Sequence, residues 1–263
     1  MVNRLSESQY KDFIWSYSRL SSYLKCPYQW YLNYIERRDG CSNWYAINGS
    51  AVHEVLEKIA KGIINVEDAG EYYLDLTQYN NEYVRDSTKE KTENQCLDFF
   101  AEYDFSLFSN YQIIEAEEEV NFTIGDYEFR GFIDLHLMDK DGNHIIVDYK
   151  SASGTLKKNG EPKKQNEDTW DGYKKQALLY ACGIYQKYNT YPKTIKWLLF
   201  RDQKVVSIDF KEEDCIAVQQ WAVNTIKEIE NDKEFLPIKN YIMCNQLCDF
   251  RLSCEYKDEE DDE

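Results

Sequence analysis

Apolar and polar positions alternate with helical spacing through the first third of the chain and with strand spacing in the middle. Residues 16–34 read as two helices, with Ser18 as an N-cap and Pro27 in the first turn of the second. That places Cys26 at a helix junction. Ala51, Val52, Val55, Leu56 and Ile59 mark the buried face of a helix over 48–64, and His53 lies on or beside that face. Residues 67–108 are polar and helical in pattern and predict an inserted helical lobe. Strands follow at 111–121 and 126–138, joined at Ile124-Gly125-Asp126, and then at 144–150 after Asp141-Gly142-Asn143. A helix over 168–186, a strand pair at 195–200 and 205–210, and a long amphipathic helix over 212–230 complete the pattern. Residues 237–254 show little regularity, and no repeat is present. The order of elements predicts an α/β protein with a central mixed sheet flanked by helices.

The candidate chemistry sits on two of these strands. Ile145-Ile146-Val147 runs into Asp148-Tyr149-Lys150, so an acid and an amine share one strand face. Asp134 arrives from the preceding strand across a tight turn. Two carboxylates and a lysine suit metal-dependent phosphodiester cleavage, since hard oxygen ligands hold Mg²⁺ or Mn²⁺. Glu117, Glu118 and Glu119 precede this hairpin and read either as a solvated strand end or as the source of one more metal ligand. His53 reads as a core histidine or as a metal ligand. Gln176 and Tyr180 are one helical turn apart on one face, which also fits an ordinary amphipathic helix.

These motifs, in this order, resemble the PD-(D/E)XK nuclease superfamily, and within it the RecB-like and CRISPR-adaptation exonucleases. The resemblance runs from about Ser18 to Cys254. It implies a restriction-endonuclease-like core and a metal shell of His53, Asp134, Asp148 and the Tyr149 carbonyl. It further implies that Lys150 positions the attacking water and that Gln176 and Tyr180 orient Lys150 and the strand. One early cysteine, Cys26, and three late ones, Cys244, Cys248 and Cys254, resemble the iron–sulfur staple of that group and imply a structural [4Fe-4S] cluster. The family usually places two residues between the first two late cysteines, and here there are three. Zinc in a four-cysteine site and an empty thiol cluster are the other readings of the same residues.

The resemblance also divides the chain. It places N-terminal helices at 18–64, a helical insertion at 67–108, a nuclease core at 111–231, an iron–sulfur segment at 232–256 and an acidic tail at 257–263. The implied substrate is single-stranded or end-containing DNA, with a protein partner in a recombination or CRISPR-adaptation complex. A non-catalytic DNA-end or interaction module of the same fold is the alternative, as is a subunit active only in a larger complex.

Composition adds three constraints. Eight cysteines without an apolar leader suggest a reducing, cytoplasmic setting rather than a disulfide framework. Cys182 and Cys215 read as separate core residues. No run approaches the ~20 apolar residues of a membrane span. The net charge of −17 opposes general DNA affinity, which needs basic surface. A local patch of Lys157, Lys158, Lys163, Lys164, Lys174 and Lys175 is the best candidate for phosphate contact, and equally fits a solvated loop.

Overall fold

The computed structural model describes residues 10, 12–80, 82 and 84–256. The acidic tail lies outside them. Eight α-helices are named among the described residues: α1 (Tyr17–Lys25), α2 (Pro27–Tyr34), α3 (Trp44–Ala60), α4 (Ala69–Thr77), α5 (Asp86–Glu102), α6 (Ser106–Ser109), α7 (Glu167–Tyr188) and α8 (Glu212–Asn231). Five strands form one sheet in sequential order: β1 (Gln112–Ile124), β2 (Tyr127–Met138), β3 (His144–Lys150), β4 (Thr194–Leu199) and β5 (Lys204–Asp209). Only β3 and β4 pair in parallel, because α7 carries the chain across between them; the other pairs are antiparallel. The mixed sheet flanked by helices is the architecture expected.

Several helix starts differ from the expectation, and the caps explain them. Ser16, not Ser18, caps α1, its Oγ accepting from the Arg19 N–H at 3.2 Å. α3 starts at Trp44 because Asn43 caps it, Oδ1 accepting from the Ala46 N–H at 3.0 Å. Asn48 is therefore inside the helix, where its amide donates to the Tyr73 hydroxyl at 2.6 Å.

Helices cover both faces of the sheet. Trp30, Leu179, Ile184 and Ile226 pack with Val120, Phe122, Ile133 and Ile146 on one face. On the other, Val52, Val55, Tyr73 and Phe99 pack with Leu135, Leu137, Val147 and Tyr149. Residues 67–108, expected as a lobe, thus fold as helices against the sheet, with Tyr73 and Phe99 fully buried. β3, with residues 145–149 all buried, has the continuous apolar character of a strand covered on both faces. α7 comes close to β1 because Gly183 has no side chain: a Cβ there would lie 2.9 Å from Val120 Cγ2. Cys182 and Cys215, read as separate core residues, are buried side by side between α7 and α8.

The C-terminal segment is held by ordinary contacts as well as by any bound group. Phe235 stacks on Trp30 and Tyr31 at 5.6 and 5.4 Å. Tyr23 donates to Asp232 at 2.9 Å. The Arg251 guanidinium donates to the carbonyls of Cys41 and Ser42 at 2.8 and 2.9 Å. Among the described residues no helix is long and apolar enough to cross a membrane.

Candidate active site

The site forms where β1 and β2 change face. Val120 and Ile133 point toward the α7 layer, whereas Ala116 and Leu135 belong to the α3 layer. The change falls at Glu117 and Asp134, which lie opposite each other between the pairs Ala116–Leu135 and Glu118–Ile133. Glu117 has φ 56, in the left-handed region, inside a strand. Such a backbone costs about 1–3 kcal/mol and persists only when its surroundings hold it.

The face change delivers both acids to His53 on α3. One ligand atom from each of His53, Glu117 and Asp134 lies within 4.8 Å of the others, a spacing that one cation can bridge. His53 Nδ1 is 3.3 Å from Asp134 Oδ1, and Asp134 Oδ2 accepts from the Tyr149 N–H at 2.5 Å. The Tyr149 ring is buried edge-on to His53.

The three consecutive glutamates go to three places, and the solvated strand end is not what forms. Glu117 joins the cluster. Glu118 is fully buried, paired with His136, and accepts from Lys187 at 2.6 Å and Tyr188 at 2.8 Å. Glu119 is the exposed one, with Arg130 at 3.1 Å. The sequence reading missed the network that continues from His136 to His144 at 2.7 Å. Its only sequence signal is histidines on adjacent strands.

Lys150 closes the other half of the site. Its Nζ is 2.6 Å from Asp148 Oδ2, donates to Gln176 Oε1 at 2.8 Å, and lies 4.7 Å from the centre of the Tyr173 ring. Gln176 Nε2 donates to the Tyr180 hydroxyl at 3.0 Å. Tyr180 lies flat on β2 because position 131 is glycine; a Cβ there would sit 2.5 Å from its ring. Asp148 is thus held against Lys150 and lies outside the three-residue group with His53.

The electrostatics are those of a site short of positive charge. Burial pushes Asp148 up to about 6, with Lys150 opposing the rise and Asp134 adding to it. Burial and then Asp134 push Glu117 up to about 7. Burial works against a charged His53, but Asp134 and Asp148 outweigh it and the imidazole pKa rises. A divalent cation would relieve all three.

Half of the lysine patch is engaged by its own surroundings. Lys157 pairs with Glu161 at 3.3 Å, Lys163 donates to the Gly154 carbonyl at 2.7 Å, and Lys175 pairs with Asp171 at 2.6 Å. Lys158, Lys164 and Lys174 are exposed.

Cys26, Cys244, Cys248 and Cys254 line one cavity together with Tyr28 and Phe250. Cys26 caps α2, its Sγ accepting from the Gln29 N–H at 3.5 Å, and Cys248 Sγ accepts from the Phe250 N–H at 3.4 Å. Burial pushes the Cys248 thiol up to about 11, with Cys26 and Cys254 adding to the rise.

Glu117→Gly tests the strained acid. Glycine adopts positive φ without a steric penalty. The variant is expected to be more stable by about 1 kcal/mol without metal, yet to bind Mn²⁺ more weakly. Thermal melts with EDTA and a calorimetric Mn²⁺ titration check the two signs.

A family model for the PD-(D/E)XK nuclease superfamily matches residues 14–255, and the chain belongs to that superfamily. In shape it is similar to a crystal structure from Eubacterium rectale described as a candidate exonuclease. The TM-score is 0.51 at 13% identity, covering 87% of each chain, so the likeness concerns the fold. SSO0001 is more distant, with a TM-score of 0.36 at 14% identity over 79% of this chain and 86% of that one, and supports no argument. No curated protein matches the chain.

Proposed function

We propose that this protein is a metal-dependent DNA exonuclease whose catalytic lysine is Lys150. The observation that carries the reading is two runs of contacts, His53 to Asp134 and Asp148 through Lys150 and Gln176 to Tyr180, joined where Asp134 accepts from the Tyr149 N–H. The donor set fits Mn²⁺ or Mg²⁺: carboxylate oxygens suit both, and an imidazole favours Mn²⁺. His53, Glu117 and Asp134 would hold the ion, with Asp148 and the Tyr149 carbonyl completing the shell as the family resemblance implies. When bound, the ion polarises the phosphate and acidifies water. Lys150 is held by Gln176, so its ammonium is aimed rather than free, and it can orient water and stabilise charge developing on the phosphate. Tyr180 holds Gln176, and Gly131 lets Tyr180 approach.

The decisive experiment is digestion of end-labelled single-stranded DNA with Mn²⁺ and with EDTA. Metal-dependent loss of the label is expected. No cleavage under any metal would move the reading to a non-catalytic DNA-end module. The net charge of −17 favours one further component, a protein partner that supplies DNA affinity, as in a recombination or CRISPR-adaptation complex.

The four cysteines fit a [4Fe-4S] cluster, with zinc as the other candidate. Four thiols face one cavity, and two of them already accept backbone N–H groups, as metal-bound thiolates do. Such a group would tie the N-terminal helices to the C-terminal segment as a structural staple. Cys254→Ser is expected to bleach a brown chromophore in anaerobically purified protein and to lower the melting temperature. A colourless wild type with one equivalent of zinc would assign zinc instead.

A further inference from the structure

In a regular strand, residues two apart share a face. Ala116 and Glu118 on β1 break that rule. Ala116 is buried in the α3 layer, whereas Glu118 is buried among side chains of α7. The residue between them has to absorb the difference, and Glu117 does so with φ 56. That reversal turns the Glu117 carboxylate toward His53 and Asp134. Whatever keeps Glu118 on the α7 side therefore also keeps Glu117 in the candidate metal cluster.

The hold on Glu118 comes from three donors on two elements. Oε2 meets His136 Nδ1, which carries the proton because it faces a carboxylate. Oε1 accepts from Lys187 Nζ at 2.6 Å and from the Tyr188 hydroxyl at 2.8 Å. His136 is itself fully buried, and its Nε2 lies 2.7 Å from His144 Nδ1. Turning Glu118 back to the α3 face would leave a buried imidazole N–H without an acceptor, which is strongly unfavourable. Ala116 commits only a methyl group to its layer and is the weaker anchor. His136 stands two residues past Asp134 on β2. The Glu118–His136 contact thus crosses between the strands at the point where Glu117 faces Asp134.

α7 joins this anchor to the other half of the site. Gln176, which holds Lys150, and Lys187, which holds Glu118, are about three turns apart along one side of the helix, on the order of 16 Å. One rigid element therefore sets both the amine and the acid.

We propose that Glu118 is a positioning residue: its buried anchorage to His136, Lys187 and Tyr188 forces the left-handed turn at Glu117 and so presents the Glu117 carboxylate to the metal. Glu118 is not part of the cluster and acts through its neighbour. The inference rests on the metal-dependent reading and adds to it the residue that keeps one ligand in place.

The test is a double-mutant cycle on the full chain, read in two ways. Free Mn²⁺ counted by its EPR signal gives the metal affinity without DNA. Glu118→Gln keeps the shape but leaves one acceptor oxygen for three donors. It is expected to weaken Mn²⁺ binding about tenfold in the wild-type background. In the Glu117→Gly background, with no carboxylate left to place, the same change is expected to weaken it less than twofold. Melts of the four proteins in EDTA give the second readout. Glu117→Gly is expected to raise the melting temperature of wild type by about 2–4 °C, and to leave that of Glu118→Gln unchanged, because the strand there has already relaxed. Equal weakening in both backgrounds overturns the proposal, as does an unaltered Mn²⁺ affinity accompanied only by a lower melting temperature. If Glu118→Gln does not fold, Tyr188→Phe, which removes a single donor, takes its place in the cycle with an expected loss of about fivefold. If the wild type binds no Mn²⁺, the metal reading fails on its own. The melts then decide the positioning role, and an equal gain from Glu117→Gly in both backgrounds overturns it.

Discussion

Replacing Lys150 by alanine is expected to lower the single-turnover rate of DNA cleavage by about 10²–10⁴-fold at saturating Mn²⁺. The argument is geometric. Lys150 is the cation placed between Asp148 at 2.6 Å and Gln176 at 2.8 Å. Without it, the charge that develops on the phosphate loses its aimed donor. A second effect follows from the same contact. Lys150 opposes the upward shift of Asp148, so its removal leaves a buried carboxylate that protonates at higher pH still. In EDTA, the Asp148 carboxyl of the alanine variant should therefore titrate alkaline of wild type. Lys150→Arg is expected to restore little, because a planar guanidinium does not replace a compact ammonium in this setting. Cleavage within a few-fold of wild type in the alanine variant would remove Lys150 from the mechanism.

Asp148→Asn is expected to move activity and stability in opposite directions. Its carboxyl, buried and pushed from 3.8 to about 6, is harder to ionise in the folded chain than in the unfolded one. The unfolded state therefore binds fewer protons between those two values, and stability falls as pH rises from about 4 to about 6. Above that window the carboxylate costs the metal-free fold on the order of 1–3 kcal/mol. Asparagine removes the charge and keeps the shape. Melts in EDTA at pH 7 should show the variant more stable than wild type, and the gap should close below pH 4. Added Mn²⁺ should raise the melting temperature of wild type more than that of the variant. Cleavage should fall by at least 10²-fold. A variant that is less stable at pH 7 without metal would show that Asp148 is not strained by burial.

Much of the site was legible because its residues repeat a local geometry. Asp148 and Lys150 share a strand face, Gln176 and Tyr180 share a helix face, and the short turn at Gly142 brings Asp134 alongside Asp148. Those relations are set by periods of 2.0 and 3.6. Glu117 was not separable from Glu118 and Glu119, because its role depends on a positive φ that no residue type announces. The partnership of Glu118 with Lys187 and Tyr188 joins β1 to the far end of α7, a pairing of about 70 positions that local pattern does not encode. The pattern over 67–108 announced helices correctly but not where they would lie. Polar residues dominate there, and the few apolar ones, such as Tyr73 and Phe99, find their partners in the sheet. In the lysine patch, acids close in the chain, Glu161 and Asp171, take up two of the charges.

The hydrogen bond from Tyr23 to Asp232 spans 209 positions, and the stacking of Phe235 on Trp30 is comparably long in reach. During synthesis from the N-terminus, α1 and α2 are made before these partners exist, 209 positions ahead in the case of Tyr23 and Asp232. Until then this part of their aromatic surface has no cover, and long-range closure of this kind is slow and exposes sticky surface. Consolidation of the N-terminal helices thus waits for the segment that carries Asp232 and Phe235.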